Sequence, residues 1–416
     1  MRRALLAILT FTIAVSAFAQ KECPQQAYRQ LLLSSDPITS VKETEIENFI
    51  ANRLLIRSNT NREDGSIVPD VINIPVVIHI LYNSSQQNIS DAQVMSQMDA
   101  LNKDFGGLND DRLKTPSYFR AAIADCRIKF VLAKQDPKGK ATNGIVRKQS
   151  GVQFFNLDDR IKSTAKGGDN AWDPSHYLNI WVGNLVGGIL GYSSLPGGPA
   201  EKDGVVISTL VFGTFNTISS FNKGRTATHE IGHWLNLKHL WGDVNCGDDK
   251  VDDTPNQASA NRGCPGGEKV TCGSAAHGDM YMNFMDLTDD ACTYMFTNGQ
   301  KSRMRALFAT GGPRNSLLTS NGLHDNGIPV DAALPDVTGK PVTVFPVPAS
   351  DQLHVRITTE NSIGKMIVVY NQLGQIVLTK RVSKGIESVN ISGLHTGNYY
   401  IKVEGTESAM ARFVKL

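Results

Sequence analysis

Three histidines in the middle of the chain are spaced so that they could bind one metal ion, and a glutamate lies between the first two in the sequence. His229 and His233 are four residues apart, which places both imidazoles on one face of a helix, one turn apart. Glu230 is offset by about a quarter turn, so its carboxylate can lie beside the metal without binding it. His239 could not reach the same metal on a continuous helix, so the helix must end before it. Asn236, a residue type that tolerates positive φ, is the predicted exit.

This spacing indicates a catalytic zinc site. Three neutral imidazoles with an open fourth position are typical of catalytic Zn²⁺, whereas structural zinc sites are closed. An HExxH pattern alone can occur by chance, but a third histidine at +10 and a helix-ending residue at +7 make it specific. The sequence therefore predicts His229, His233 and His239 as zinc ligands and Glu230 as the general base that deprotonates the attacking water.

Composition describes a globular protein and excludes some classes of function. The 416 residues predict two or three domains, and 41% of them are hydrophobic and 20% charged. A net charge of +2 argues against a nucleic-acid partner, which would need a clustered basic surface.

The N-terminus predicts export. Arg2 and Arg3 precede a short apolar run that ends in Ala17-Phe18-Ala19, which is typical of a secretory signal peptide over 1–19. No other run approaches the roughly 20 apolar residues of a membrane-spanning helix, so we expect no transmembrane segment in the mature chain.

Residues 20–68 are interpreted as a pro-segment. The stretch is polar and helix-leaning, and it ends in a run from Arg57 to Gly65 that has no apolar residue and suits proteolytic cleavage. The alternative is an N-terminal helical cap of the following domain.

The elements that must position the metal site extend over 69–323. Ile72 to Leu81 is a predicted buried strand, and Val94, Met98, Leu101 and Phe105 lie at helical spacing. Further strands are expected at 128–133 and 177–182 and between the glycines of 187–191 and 204–213. We therefore expect an α/β (α+β) domain here, followed by a linker at 324–340.

The last part of the chain, 341–416, has a different texture. Apolar and polar residues alternate around Leu353, Val355 and Ile357 and again around Tyr399 and Ile401. This pattern predicts an all-β, Ig-like sandwich. The segment also resembles the C-terminal sorting domains of type IX secretion cargo, through Val344 to Ala349, Leu373-Gly374 and Leu394 to Tyr400. That resemblance implies the type IX machinery as a partner.

Residues 72–310 resemble the pappalysin family of metzincin metallopeptidases. Besides the zinc motif, the shared motifs are Leu101 to Phe105, Tyr177 to Val182, Gly224 to Thr228 and Asp252 to Pro255. The resemblance implies a metzincin (zincin) catalytic domain with a twisted mixed sheet and an active-site helix. It also implies a Met-turn, in which Met285 forms an apolar floor beneath the histidines.

The chain departs from the family pattern at two positions. Asn236 replaces a common glycine, which the backbone argument tolerates. Leu287 stands where the family tends to carry a tyrosine that stabilises the tetrahedral intermediate. Either Tyr281 or Tyr294 supplies the hydroxyl instead, or turnover is reduced.

A short loop is crowded with carboxylates that would repel one another without a cation or solvent, namely Asp243, Asp248, Asp249, Asp252 and Asp253. The family resemblance implies calcium here, with Asp249, Asp252 and Thr254 as contributors. The alternative is a solvated acidic loop.

Four cysteines surround this loop and the Met-turn, and they allow three pairings. The resemblance implies Cys246–Cys272 and Cys264–Cys292.

Cys23 and Cys126 then remain. They could pair, or the Cys23 thiolate could cap the zinc until the pro-segment is cleaved, as in cysteine-switch latency. An acidic residue such as Asp64 could cap it instead.

The sequence thus favours a secreted, latent zinc endopeptidase that acts on proteins or peptides. The rim strand near Gly191-Tyr192-Ser193 would align an extended substrate. The resemblance implies a preference for Arg or Lys after the scissile bond, with Asp289 and Asp290 as the expected acidic pocket, although Ala291 directly precedes Cys292. Because of Leu287, a surface adhesin with a vestigial zinc fold stays the alternative, and a small-molecule hydrolase comes third.

Overall fold

The structure is a computed structural model. It describes residues 23–60, 68–273, 276–324, 342–345, 349, 351–357, 363–371, 374–383, 386–404 and 410–415. These residues form two compact units, one that ends at His324 and one that consists mainly of the residues after it. The predicted signal peptide, Asp64 and all of the predicted linker except His324 lie outside the described residues.

A six-stranded mixed sheet forms the centre of the first unit. Its strands are β1 (Ile72–Tyr82), β2 (Ile128–Leu132), β3 (Ile145–Gln149), β4 (Leu178–Gly183), β5 (Gly191–Ser193) and β6 (Val205–Ser208). The order is β2-β1-β4-β6-β5, and β3 pairs with the second half of β1. Only β5, at the edge, is antiparallel to its neighbour. The mixed α/β architecture is the predicted one, but β3 was not expected.

Strand β1 explains why its sequence is almost continuously apolar. It pairs with β2 through Ile72 to Val76, with β3 through Ile78 to Tyr82, and with β4 on its other side. Every position from Ile74 to Leu81 is buried, so apolar residues do not alternate with polar ones there, as expected of a parallel strand that is covered on both faces.

Helices pack around this sheet. They are α1 (Gln25–Ser35), α2 (Ile38–Thr60), α3 (Asp91–Phe105), α4 (Arg225–Trp234) and α5 (Asn298–Ala306). Helix α1 lies against the edge strand β5, and α2 lies against α5. In the described residues no helix is both long enough and apolar enough to cross a membrane.

The two faces of the sheet bury different clusters. Val205 and Ile207 belong to the large core that also contains residues of α3 and α4. Val206 faces the other way, into a smaller cluster with Trp181 and Tyr192. Side chains alternate along a strand, so these residues point to opposite faces of the sheet. Helix α4, which carries His229 and His233 and is called the zinc helix below, lies on one face of β6, and the Trp181–Tyr192 cluster lies on the other.

The second unit contains two antiparallel sheets. One has the order β10-β9-β12-β13 and the other β11-β8-β7. The strands are β7 (Val342–Phe345), β8 (Gln352–Ile357), β9 (Met366–Tyr370), β10 (Ile376–Arg381), β11 (Ile386–Asn390), β12 (Gly397–Val403) and β13 (Met410–Lys415). Leu353 and Val355 from one sheet share a buried core with Val369 and Ile401 from the other. The predicted all-β character is therefore present.

Candidate metal centre

Helix α4 ends where the spacing of the histidines requires it. The helix extends to Trp234, and Asn236 follows with a φ of 65°. The amide of Leu237 donates to the carbonyl of Gly232 at 2.9 Å, which closes the helix end in the manner of a left-handed cap. This turn reverses the chain and brings His239 back to His229 and His233.

The hydrogen bonds of the three histidines fix their tautomers. Nδ1 of His229 donates to the carbonyl of Phe284 at 2.6 Å, and Nδ1 of His233 donates to the carbonyl of Leu237 at 2.8 Å. Nδ1 of His239 faces the Asp243 carboxylate at 2.6 Å. A carbonyl or an ionised carboxylate only accepts, so the proton lies on Nδ1 and the Nε2 lone pair is available to a metal.

The Nε2 atoms converge at the separations that zinc requires. His233 Nε2 lies 3.1 Å from His229 Nε2 and 3.2 Å from His239 Nε2. Tetrahedral zinc with Zn–N bonds of about 2.05 Å places its nitrogen ligands about 3.3 Å apart. All three side chains are buried, so three lone pairs directed at one point are costly unless a common partner satisfies them. The residues therefore fit a zinc ion.

A fourth candidate ligand atom lies in the N-terminal segment. Cys23 Sγ lies 3.6 Å from His233 Nε2, and a tetrahedral N–Zn–S arrangement gives about 3.6 Å. Among the described residues, these four side chains are the only group of three or more His, Cys, Asp or Glu whose ligand atoms come this close together. Neither Cys23 nor Cys126 takes part in a disulfide, and Cys126 is buried elsewhere.

Glu230 lies on helix α4 and Met285 lies close to it, and both are buried. Glu230 is almost fully buried, and a Cβ added to Gly191 of β5 would meet its Cγ at 2.9 Å. The Glu230 carboxylate thus lies directly beside the edge strand. Under the helix, a Cβ at Gly232 would meet Met285 Sδ at 2.4 Å, so only glycine allows the Met-turn to approach this closely.

Two disulfides brace the loops around the Met-turn. Cys246 bonds to Cys272 and Cys264 bonds to Cys292, the pairing that the family resemblance implies. Each bridge closes a long loop that has little secondary structure of its own, so the bridges restrict this region in the unfolded chain.

The acidic loop is only partly assembled as a cation site. Asp249 is buried, and both of its carboxylate oxygens accept from Thr254 Oγ1, at 2.9 and 2.8 Å. Burial raises the pKa of Asp249 to about 7. Asp252 is exposed, and Asp253 accepts from Thr297 at 2.6 Å near the start of α5.

The two aspartates expected in a substrate pocket lie in different environments. Asp289 is partly exposed, whereas Asp290 is fully buried. The Asp290 carboxylate accepts from the amides of Lys223 and Arg225 at 2.8 and 3.2 Å, at the start of α4. Asp290 therefore stabilises the N-terminus of the zinc helix.

Tyr281 and Tyr294 are the two candidates for the hydroxyl that the family tyrosine would supply at the position of Leu287. Leu287 is buried, and the Tyr281 hydroxyl donates to the carbonyl of Gly267 at 3.0 Å. Burial, followed by the neighbouring Tyr281 and Asp111, raises the pKa of Tyr294 to about 12. At neutral pH the Tyr294 hydroxyl is thus protonated.

Sequence reasoning missed two residues that act on the site. Asp243 was assigned only to the acidic loop, yet it orients His239. Glu47 of α2 accepts from Asn236 Nδ2 at 2.8 Å and from the Arg303 guanidinium. The i+4 spacing from His239 to Asp243 could have indicated the first contact, but no local signal indicates the second.

The comparisons with known proteins agree with this geometry. The family model described as pregnancy-associated plasma protein-A, peptidase M43, matches residues 162–309. An extracellular metalloprotease of Pyricularia oryzae is 33% identical over 249 residues, which cover 57% of this chain and 75% of the relative. One of Verticillium alfalfae is 32% identical over 268 residues, which cover 62% and 84%.

The chain belongs to this pappalysin family. Solved structures agree. A variant of promirolysin from Tannerella forsythia is 41% identical, with a TM-score of 0.65, and the match covers 72% of this chain and 97% of that one. Mature mirolysin with a cleaved peptide is 46% identical, with a TM-score of 0.59 and coverages of 60% and 97%. The predicted family is confirmed, and this pappalysin is a zinc metalloendopeptidase.

The tail of the pappalysin chain has its own match. The model described as secretion system C-terminal sorting domain covers residues 343–415. The type IX sorting domain is thus confirmed, and the protein is secreted across the outer membrane.

Proposed function

We propose that the protein is a latent protease whose mature form hydrolyses peptide bonds with Glu230 as general base. The observation that carries the proposal is the convergence of three Nε2 lone pairs beside this carboxylate. A zinc ion held there by His229, His233 and His239 would supply the Lewis acidity that activates a water and polarises a carbonyl. Glu230 takes the proton of the attacking water and delivers it to the leaving amine. Strand β5, at the sheet edge, holds the extended peptide by backbone hydrogen bonds.

Latency is proposed to reside in residues 20–68. The Cys23 sulfur lies 3.6 Å from His233 Nε2 and would take the open position of a zinc ion held by the three histidines, so the segment would block catalysis until it is removed. The coverages of the two solved structures support this division, because promirolysin matches about 50 more residues of this chain than mature mirolysin does. Asp64, the acidic alternative, lies outside the described residues.

The test compares the zymogen, the proteolytically matured enzyme and the mature Glu230→Gln variant. We expect the mature enzyme to cleave peptides and Glu230→Gln to retain zinc while losing a factor of about 10³ in kcat/KM, within the range of general acid–base catalysis. Glu201→Gln, at an exposed position, is the matched control. Normal turnover by zinc-loaded Glu230→Gln would contradict the assigned role.

We also propose a preference for Arg or Lys after the scissile bond, with Asp289 as the carboxylate that receives the cation. Its partial exposure near Cys292 supports this role. Asp290 already accepts from the amides of Lys223 and Arg225, so it would attract the substrate cation through its charge and would not contact it directly. We expect Asp289→Asn to reduce the ratio of kcat/KM for Arg over Ala peptides by about tenfold, since a hydrogen-bonded charge pair contributes about 1.5–3 kcal/mol. An unchanged ratio would reject Asp289.

Calcium binding in the acidic loop is a further proposal, with Asp249, Asp252 and Thr254 as the expected contributors. It is supported by the buried Asp249 carboxylate, which carries a desolvation cost that a bound cation would offset. For the tail, the two antiparallel sheets around one core support the proposal of an immunoglobulin-like sandwich.

A further inference from the structure

Tyr28 of α1 inserts into a polar and aromatic pocket on the far side of the edge strand. The side chain is completely buried, and its ring centroid lies 4.7 Å from that of Tyr192. Its hydroxyl donates to the Asp159 carboxylate, at 2.8 and 3.0 Å from the two oxygens. The same hydroxyl accepts from Lys162 Nζ at 2.8 Å. Every polar requirement of a phenol is therefore met in this pocket.

The pocket is costly to build without an occupant. The Lys162 side chain is 1% exposed, and its Nζ forms an ion pair with Asp159 at 3.2 Å. The ammonium also lies over the rings of Tyr28, Trp181 and Tyr192, at 4.9, 5.3 and 5.3 Å from their centroids. Burial lowers the pKa of Lys162, and the Asp159 charge opposes that effect. A buried ion pair of this kind needs its remaining hydrogen-bonding capacity satisfied. Tyr28 does so here together with the carbonyl of Lys202, which accepts from Lys162 Nζ at 2.8 Å.

Four of the five side chains stay with the mature enzyme. Asp159, Lys162, Trp181 and Tyr192 follow the proposed cleavage region, whereas Tyr28 lies in the segment that is removed. In the proposed scheme, cleavage therefore removes Tyr28 with its segment and leaves the hydrogen-bonding partners of its hydroxyl in the mature enzyme.

The position of the pocket relates it to the substrate path. Tyr192 is the central residue of β5, and it pairs with Val206 of β6. The side chains of both residues lie on the face of the sheet opposite helix α4. The preceding residue, Gly191, lies against Glu230. A peptide that pairs with β5 would direct alternate side chains to the two faces of the sheet. One set points toward the zinc side, and the other set points to the face where Tyr28 now lies.

We propose that the pocket formed by Asp159, Lys162, Trp181 and Tyr192 is a substrate subsite that selects a tyrosine side chain, and that Tyr28 occupies it in the latent protein. This inference rests on the proposed function, because it needs removal of the segment. Phenylalanine can fill the aromatic space but leaves the carboxylate and the ammonium without the hydroxyl. A site built to hydrogen-bond a hydroxyl discriminates strongly against a ligand that lacks it.

The experiment uses the matured enzyme and a set of peptides that share one cleaved sequence. Tyr, Phe and Ala are placed in turn at each of four positions on either side of the scissile bond. We expect one position at which kcat/KM is at least tenfold higher with Tyr than with Phe. The Asp159→Asn enzyme should lose this preference, whereas Asp158→Asn, at the exposed neighbouring residue, should keep it. Equal rates for Tyr and Phe at every position, or a preference that survives Asp159→Asn, would overturn the proposal.

A binding measurement separates this inference from the proposed function. N-acetyl-tyrosinamide and N-acetyl-phenylalaninamide are titrated into the matured Glu230→Gln protein and followed by NMR. Tighter binding of the tyrosine compound, lost in the Asp159→Asn double variant, supports the subsite even if no peptide is cleaved. Equal binding of the two compounds rejects the subsite even if the protease is active.

Discussion

The contact between Glu47 of α2 and Arg303 of α5 should determine how tightly the N-terminal segment binds to the rest of the protein. Arg303 is 3% exposed and Glu47 is 32% exposed. The Arg303 Nε also donates to the backbone carbonyl of Asn236 at 3.0 Å, and the Glu47 carboxylate accepts from the side-chain Nδ2 of Asn236. The carboxylate thus joins α2 to α5 and to the turn that positions His239. The change that tests this role is Glu47→Gln, which keeps an acceptor but removes the charge.

The size of the effect follows from burial. A hydrogen bond to a charged group contributes about 1.5–3 kcal/mol, and a nearly buried arginine that loses its carboxylate is at the costly end. Glu47 itself is about one third exposed, so solvent screening places the loss near the lower limit. We expect about 1.5 kcal/mol, which corresponds to roughly tenfold weaker binding of the segment.

The assay adds a peptide of residues 20–68 in trans to the matured enzyme and measures its inhibition constant. Glu45→Gln is the matched control, because Glu45 lies on the same helix and is exposed. The Glu47→Gln peptide should inhibit about tenfold less strongly than the control peptide. If the two inhibition constants agree within threefold, the interaction does not hold the segment and the reasoning from burial is wrong.

Three further predictions concern pH, disulfides and metal. Burial raises the pKa of Glu47, but the Arg303 hydrogen bond and charge, with Lys238 and Asn236, lower the pKa by more than burial raises it, so the net shift is downward. The stabilisation is therefore present above the ordinary value of 4.5 and is lost as pH falls, and the gap in unfolding temperature between the wild-type and Glu47→Gln zymogens should shrink in acid. Replacing Cys264 and Cys292 by serine opens a bridge with a sequence separation of 28, which should cost about 3–4 kcal/mol in urea unfolding; a loss below about 1 kcal/mol would contradict the loop-entropy argument. Removing zinc by chelation should lower the unfolding temperature reversibly, because the three imidazole lone pairs lose their common partner. Equal unfolding temperatures with and without the metal would contradict the site.

The zinc site was predictable because its information is local. A helix fixes the relation between His229 and His233, and the residue that ends the helix fixes the return of His239. Asn236 has the positive φ that this argument requires. The long apolar run of β1 was equally readable, since a strand buried on both faces takes mostly apolar residues.

Other residues took their roles from tertiary contacts that no spacing reveals. Asp290 is 65 residues from the helix amide of Arg225 that it accepts from, so its role depends on where two loops meet. Tyr28 and Glu47 contact groups that lie 131 and 189 residues away in the sequence. The sequence by itself determined which side chains could bind zinc, because helix geometry is set by near neighbours. The tertiary structure alone decided that Cys23 lies against the three histidines and that Tyr28 fills the pocket beside Asp159, because packing between distant segments depends on the whole fold.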